Sequence, residues 1–202
     1  MGFSFCSSWT KKAPELEFWS WFEKNQNMLF HFEKDQDRIF DKLSLAMSKV
    51  HADLTFEFGP IDNGAREFVI SADGLKDAFP AVEKLFLSAP ELPQWKFIKF
   101  RPRRDVMTIQ MGGVKLDPSE LAVTVEPDGE KTGLTVFVKR YDESKKSQLL
   151  HVVYLMLDQA IGEYDMETKV GFIEMRPYEE QSQCKKHDFA DLPELFDKVS
   201  KG

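Results

Sequence analysis

Two six-residue segments constrain this chain more than any other feature. Residues 97–102 read Phe-Ile-Lys-Phe-Arg-Pro, and residues 172–177 read Phe-Ile-Glu-Met-Arg-Pro. Each ends a stretch whose pattern runs hairpin, helix, strand. That order predicts a duplicated ββαβ unit, over about 53–104 and again over about 121–178. Hairpins with helices on one face of a mostly antiparallel sheet define an α+β class. The two copies would share one continuous sheet or form two sheets side by side.

The local patterns supply the elements. Leu54, Phe56 and Phe58 alternate with Thr55 and Glu57, as a half-buried strand does. Asn63-Gly64 turns it, and 66–71 returns. Pro80 fits only a first helical turn, and Pro90 and Pro93 end that helix. Residues 106–111 turn at Gly112-Gly113. Residues 121–126 and 134–141 make the second hairpin around Pro127-Asp128-Gly129. Ser144 is a candidate cap for a helix that runs to about Gly162, and its broad apolar face predicts deep burial. Residues 178–188 read as a polar loop, and Pro193 opens a short terminal helix.

Residues 1–14 are expected to be a flexible tail, ahead of a single domain over 15–202. Within it, 15–51 is an N-terminal helical segment. Phe18, Phe22, Leu29, Phe32, Phe40, Leu43, Met47 and Val50 follow helical steps. An unbroken helix there would be roughly 50 Å long at 1.5 Å per residue. Asn25-Gln26-Asn27 is the expected break. Trp19, Trp21 and Phe30 add a second apolar stripe, which suits burial within the chain or a homodimer through 18–32.

Composition narrows the partners. The net charge is −7, from 27 basic and 34 acidic residues. An acidic chain repels phosphate backbones and anionic membranes, so neither nucleic acid nor membrane is expected as partner. The two cysteines, Cys6 and Cys184, make no disulfide framework, which favours a reducing cytoplasm. The N-terminus has no basic start and no long apolar run, so no signal peptide is expected.

Leu54 to Phe58, Arg66 to Gly74, Ala78-Phe79-Pro80, Trp95 to Pro102 and Phe18 to Phe22 resemble a family of uncharacterised bacterial proteins, a domain of unknown function. The resemblance covers most of the chain. It implies a bacterial origin and carries no activity, cofactor or site residue.

Strand alternation sorts residues onto two faces. Phe56, Phe58, Phe68, Ile98, Phe100, Leu134, Val136, Ile173 and Met175 are assigned to the helix-packed face. Lys99, Arg101, Glu174 and Arg176 fall on the other, with Phe97 and Phe172. These six are the candidate binding residues. Two Arg forks can grip a carboxylate or phosphate, and the rings supply apolar contact. A solvated sheet face with cross-strand ion pairs accounts for the same residues. Lys96, Lys99, Arg101, Arg103 and Arg104 form a basic cluster, either a phosphate grip or a strand end balanced by acidic neighbours.

Catalytic and metal chemistry find little support. Cys184-Lys185-Lys186-His187 has the spacing of half a zinc site without a second half. His151 is a conceivable general base, but a histidine at a helix edge explains it as well. Glu163, Asp165 and Glu167 read as a solvated loop. No phosphate loop, nucleophile elbow or zinc-protease motif occurs. No catalytic residue, metal or cofactor is assigned. The expected function is a non-catalytic cytoplasmic binding module, such as an immunity-like or accessory protein whose acidic surface masks a basic partner. The alternative is a small hydrolase or transferase with an Arg-lined anion pocket between the two halves. A protein partner, a second copy and a small anionic ligand all stay open.

Overall fold

The computed structural model describes residues 12–179 and 185–200. The chain is α+β and divides into two compact units, Met1–Lys99 and Phe100–Gly202.

The first unit opens with α1 (Pro14–Phe30) and α2 (Gln36–Ser48). Pro14 stands in the first turn of α1, where its missing N–H costs nothing. The N-terminal helical segment is thus two helices. Their break lies at 31–35, where a single 3-10 turn (Phe32–Lys34) intervenes, and not at Asn25–Asn27. The break has a tertiary cause. Phe32 leaves the helical path to stack on Phe58, with ring centroids 4.7 Å apart.

The first sheet holds β1 (Thr55–Asp62), β2 (Ala65–Ser71) and β3 (Trp95–Lys99), in that order. β1 and β2 are an antiparallel hairpin closed by Asn63 and Gly64, both at positive φ (49° and 83°), as a tight two-residue turn demands. The ladder slips between Phe58 and Ile61, around Pro60, a residue without an N–H that sits here on an edge strand. β2 pairs in parallel with β3 after a 3-10 turn and α3 (Phe79–Leu87). Pro80 lies in the first turn of α3.

Rings fill this unit. Phe22 is fully buried and touches Phe18, Trp19, Phe68, Trp95 and Phe97. Phe40 of α2 packs on Phe56 and Phe58. Trp19, Phe22, Phe32 and Phe40 of the N-terminal segment therefore pack on the unit's own sheet. The Trp19 indole donates a buried hydrogen bond of 2.8 Å to the Leu85 carbonyl, tying α1 to α3.

The second unit begins with a hairpin of β4 (Ile109–Met111) and β5 (Val114–Leu116) across Gly112-Gly113. Asp117 and Glu120 then form a reciprocal capping box on a 3-10 turn. β6 (Leu121–Asp128) and β7 (Lys131–Val138) are antiparallel, and β7 pairs in parallel with β8 (Val170–Pro177). A short β9 (His187–Asp188) completes the order β8-β7-β6-β9, inside the stretch read from sequence as loop.

The crossover from β7 to β8 contains α4 (Lys146–Ile161) and α5 (Glu163–Lys169). Asp142, not Ser144, is the capping acceptor before α4, taking the Ser144 N–H at 3.0 Å. With α6 (Leu192–Val199), α4 covers Leu121, Val123, Leu134, Val136 and Val138. This core is aliphatic apart from Phe189 and Phe196. Among the described residues no helix is long and apolar enough to cross a membrane.

Candidate functional site

The six sequence-selected residues are divided between the two units. Phe97 and Lys99 belong to the first unit, the other four to the second. Phe97 pairs in register with Phe68 and shares its face. It is half-buried against Trp19 (4.6 Å between centroids) and Phe22 (5.5 Å), on the face that α1 covers. The Lys99 ammonium lies 3.7 Å from Glu83. β3 stops at Lys99 because Phe100 takes φ +61°, a left-handed conformation that ends strand geometry. Arg101 therefore stands outside any strand, 3.8 Å from Asp158. Phe172, Glu174 and Arg176 do share one side of β8. Glu174 and Arg176 pair at 2.7 Å along the strand. The Phe172 ring lies over Gly133, where a Cβ would come within 2.2 Å of it.

The basic run is matched by carboxylates. Lys96 pairs with Glu67 at 2.8 Å. The Arg103 guanidinium donates to Asp197 (2.8 Å), to Asp165 (3.0 Å) and to the Ile161 carbonyl (2.8 Å). The Asp197 carboxylate, seconded by Asp165, raises the Arg103 pKa, so its charge is fixed. Gly162, at φ +86°, ends α4 and brings Glu163 against this segment. Glu163 is fully buried, and its carboxylate accepts the Arg101 N–H at 2.9 Å. The supposed solvated loop is thus α5, docked by its first residue. Sequence reasoning missed this clasp. Its one local signal was a glycine directly after an apolar helical face, a common helix stop.

His151 is exposed on α4 and opens on a recess of about 330 Å³ with Met111, Gly112, Ser147 and Gln148. That lining has no carboxylate to orient the imidazole, which a nucleophile–base pair requires. Among the described residues no group of three or more His, Cys, Asp or Glu could hold a metal ion. Cys6 and Cys184 lie outside the described residues, as does most of the expected N-terminal tail.

A larger cleft of about 570 Å³ lies in the first unit, within the size range of small-ligand sites. Phe86, Ala89, Pro90, Glu91, Leu92, Pro93, Trp95 and Phe97 line it. The loop from α3 to β3 is held by local bonds: Ala89 N–H to Phe86 O (3.1 Å) and Trp95 N–H to Leu92 O (2.9 Å). Two prolines stiffen it further. Three rings, two prolines and a leucine give the lining its apolar character, and Glu91 is its sole charge. Trp95 is 7% exposed, and its indole N–H has no hydrogen-bond partner among the described residues. Such a lining can take an apolar group with an adjacent cation, held by the carboxylate and the ring faces. It contains no Ser, Thr, Cys, Lys or His. In the sequence, Pro90-Glu91-Leu92-Pro93 signals only a helix stop.

Comparison with protein-family models, curated proteins and solved structures finds no match for the chain.

Proposed function

We propose that the chain is a non-catalytic binding module of the bacterial cytoplasm, and that the 86–97 cleft receives a basic protein partner. The partner would present an aliphatic or aromatic side chain beside a Lys or Arg. The cleft lining carries this reading: rings and prolines around one carboxylate, with no basic residue among them. The net charge of −7 favours encounter with a basic partner. The alternative, an Arg-lined anion pocket serving a hydrolase or transferase, is less well supported, because Arg101 and Arg103 have carboxylate neighbours. We also infer that the two hairpin–helix–strand modules descend from one duplicated unit. The strands that carry the matching hexapeptides, Phe97–Lys99 of the first and Phe172–Pro177 of the second, each pair in parallel with the second strand of a hairpin, which supports that descent.

An NMR titration with two blocked dipeptide amides, Ac-Trp-Lys and Ac-Trp-Glu, tests the cleft. The Lys peptide is expected to shift resonances of residues 86–97 and to bind at least about threefold more tightly than the Glu peptide, a difference of the size an exposed ion pair supplies. Glu91→Lys should reverse the order. Equal affinities, or shifts elsewhere on the chain, would overturn the reading.

A further inference from the structure

β8 is an eight-residue strand at the edge of its sheet, and among the described residues it is laddered on one side only. The other edge strands are shorter or broken. β1 slips around Pro60, β3 has five residues, β4 and β5 have three each, and β9 has two. An open edge of this length is a place for a further strand to pair.

The register of that pairing can be read from the strand. The Tyr178 N–H donates to Val138 O at 2.9 Å, so even-numbered residues turn their backbone groups toward β7. Odd-numbered Ile173 and Met175 then turn theirs outward, and Pro177, without an N–H, turns out its carbonyl alone. An antiparallel partner must meet odd residues with odd residues. The side chains of Ile173 and Met175 pack on the aliphatic core. Those of Phe172, Glu174 and Arg176 are exposed on the opposite side.

We propose that β8 pairs with β8 of a second copy, antiparallel, about a two-fold axis at Met175. Glu174 then faces the partner's Arg176, and Arg176 faces the partner's Glu174. Phe172 faces the partner's Tyr178, and the reverse. Opposite charges and ring pairs are the favourable cross-strand neighbours. The adjacent permitted registers fail on the same criterion. An axis at Glu174 sets carboxylate against carboxylate, and an axis at Arg176 sets guanidinium against guanidinium. The existing Glu174–Arg176 pair is 47% and 54% exposed, so exchanging it across the seam loses little. The contact is isologous and closes on itself, giving a dimer and not a fibre. It is independent of the cleft reading, whose residues lie in the other unit.

Sedimentation velocity of the full chain across the micromolar range tests this. The wild type should dimerise. Arg176→Glu alone, or Glu174→Arg alone, should weaken the dimer by at least about tenfold, since each sets like charges face to face. The double swap Glu174→Arg, Arg176→Glu should restore it. All four side chains of the exchange are exposed, and circular dichroism checks that each variant folds. A wild type that stays monomeric overturns the proposal, as it would if the edge served another protein's strand. So does a dimer indifferent to the single reversals.

Discussion

The two units set the second strand of a hairpin parallel to a strand reached through a helix, yet they fill their cores with different chemistry. In the first, α3 spans nine residues and buries Phe79, Val82 and Leu85. The sheet face bearing Phe56, Phe58, Phe68 and Phe97 is covered by the rings of α1 and α2. In the second, α4 spans sixteen residues and buries seven, mostly aliphatic. The equivalent phenylalanines of the repeated hexapeptide show the consequence. Phe97 faces Phe68 and sits in a ring cluster. Phe172 faces Gly133 and is 37% exposed. One residue type at one strand position is half-buried or exposed according to what covers that face.

Truncating these rings tests the contrast most severely. Phe22→Ala should destabilise the protein by about 3–5 kcal/mol, because a fully buried ring leaves a cavity among five others. Phe172→Ala should cost under about 1 kcal/mol, since its ring is part exposed. Urea denaturation at low micromolar concentration measures both. Comparable losses would erase the distinction between the two faces.

A smaller effect is expected at the clasp of the second unit. A Cβ on Gly162 would meet Arg101 O and Arg103 N, each at 3.3 Å, and φ +86° strains any L residue. Gly162→Ala should cost roughly 1–3 kcal/mol and raise amide exchange at Arg101 and Glu163. A thermally neutral variant with unchanged exchange would show that the α4–α5 corner is not what holds Glu163.

The smallest effect concerns acid. The Ser119 hydroxyl, the Thr108 hydroxyl and the Ser119 N–H hold the Asp117 carboxyl down to about 2. Its contribution is therefore present above the usual aspartate value and disappears as pH falls through the folded one. Between pH 4 and 2, roughly, Asp117→Asn should flatten the fall of Tm relative to the wild type. Parallel curves would place the acid sensitivity elsewhere, for example at Glu120, which Arg140 also holds low.

Much of this architecture was legible before any coordinates. Alternation located both hairpins, Pro14 and Pro80 marked helix starts, and Gly112-Gly113 marked a turn. The failures share a cause. Alternation chose Ile98 over Phe97 as the buried residue, but both are half-buried, so period two could not decide between them. Asn25–Asn27 looked like a helix break by composition, while the real break serves a contact between Phe32 and Phe58, 26 positions later. Glu163 looked solvated within an acidic run, and its partner is a backbone N–H 62 residues away. Local pattern reports propensity, and these outcomes were fixed by distant neighbours. The candidate cleft was less legible still, because Trp95 and Phe97 meet Pro90 and Glu91 across a loop whose sequence says only that a helix has ended.

The ring-rich first unit and the aliphatic second unit also divide the chain's chromophores. Every tryptophan stands at position 95 or earlier, and every tyrosine at 141 or later. Light absorbed near the red edge of the ultraviolet band is therefore taken up by the first unit alone, while the phenol signal belongs wholly to the second. The molecule carries its own two-colour label, and the melting of each half can be followed without attaching a dye.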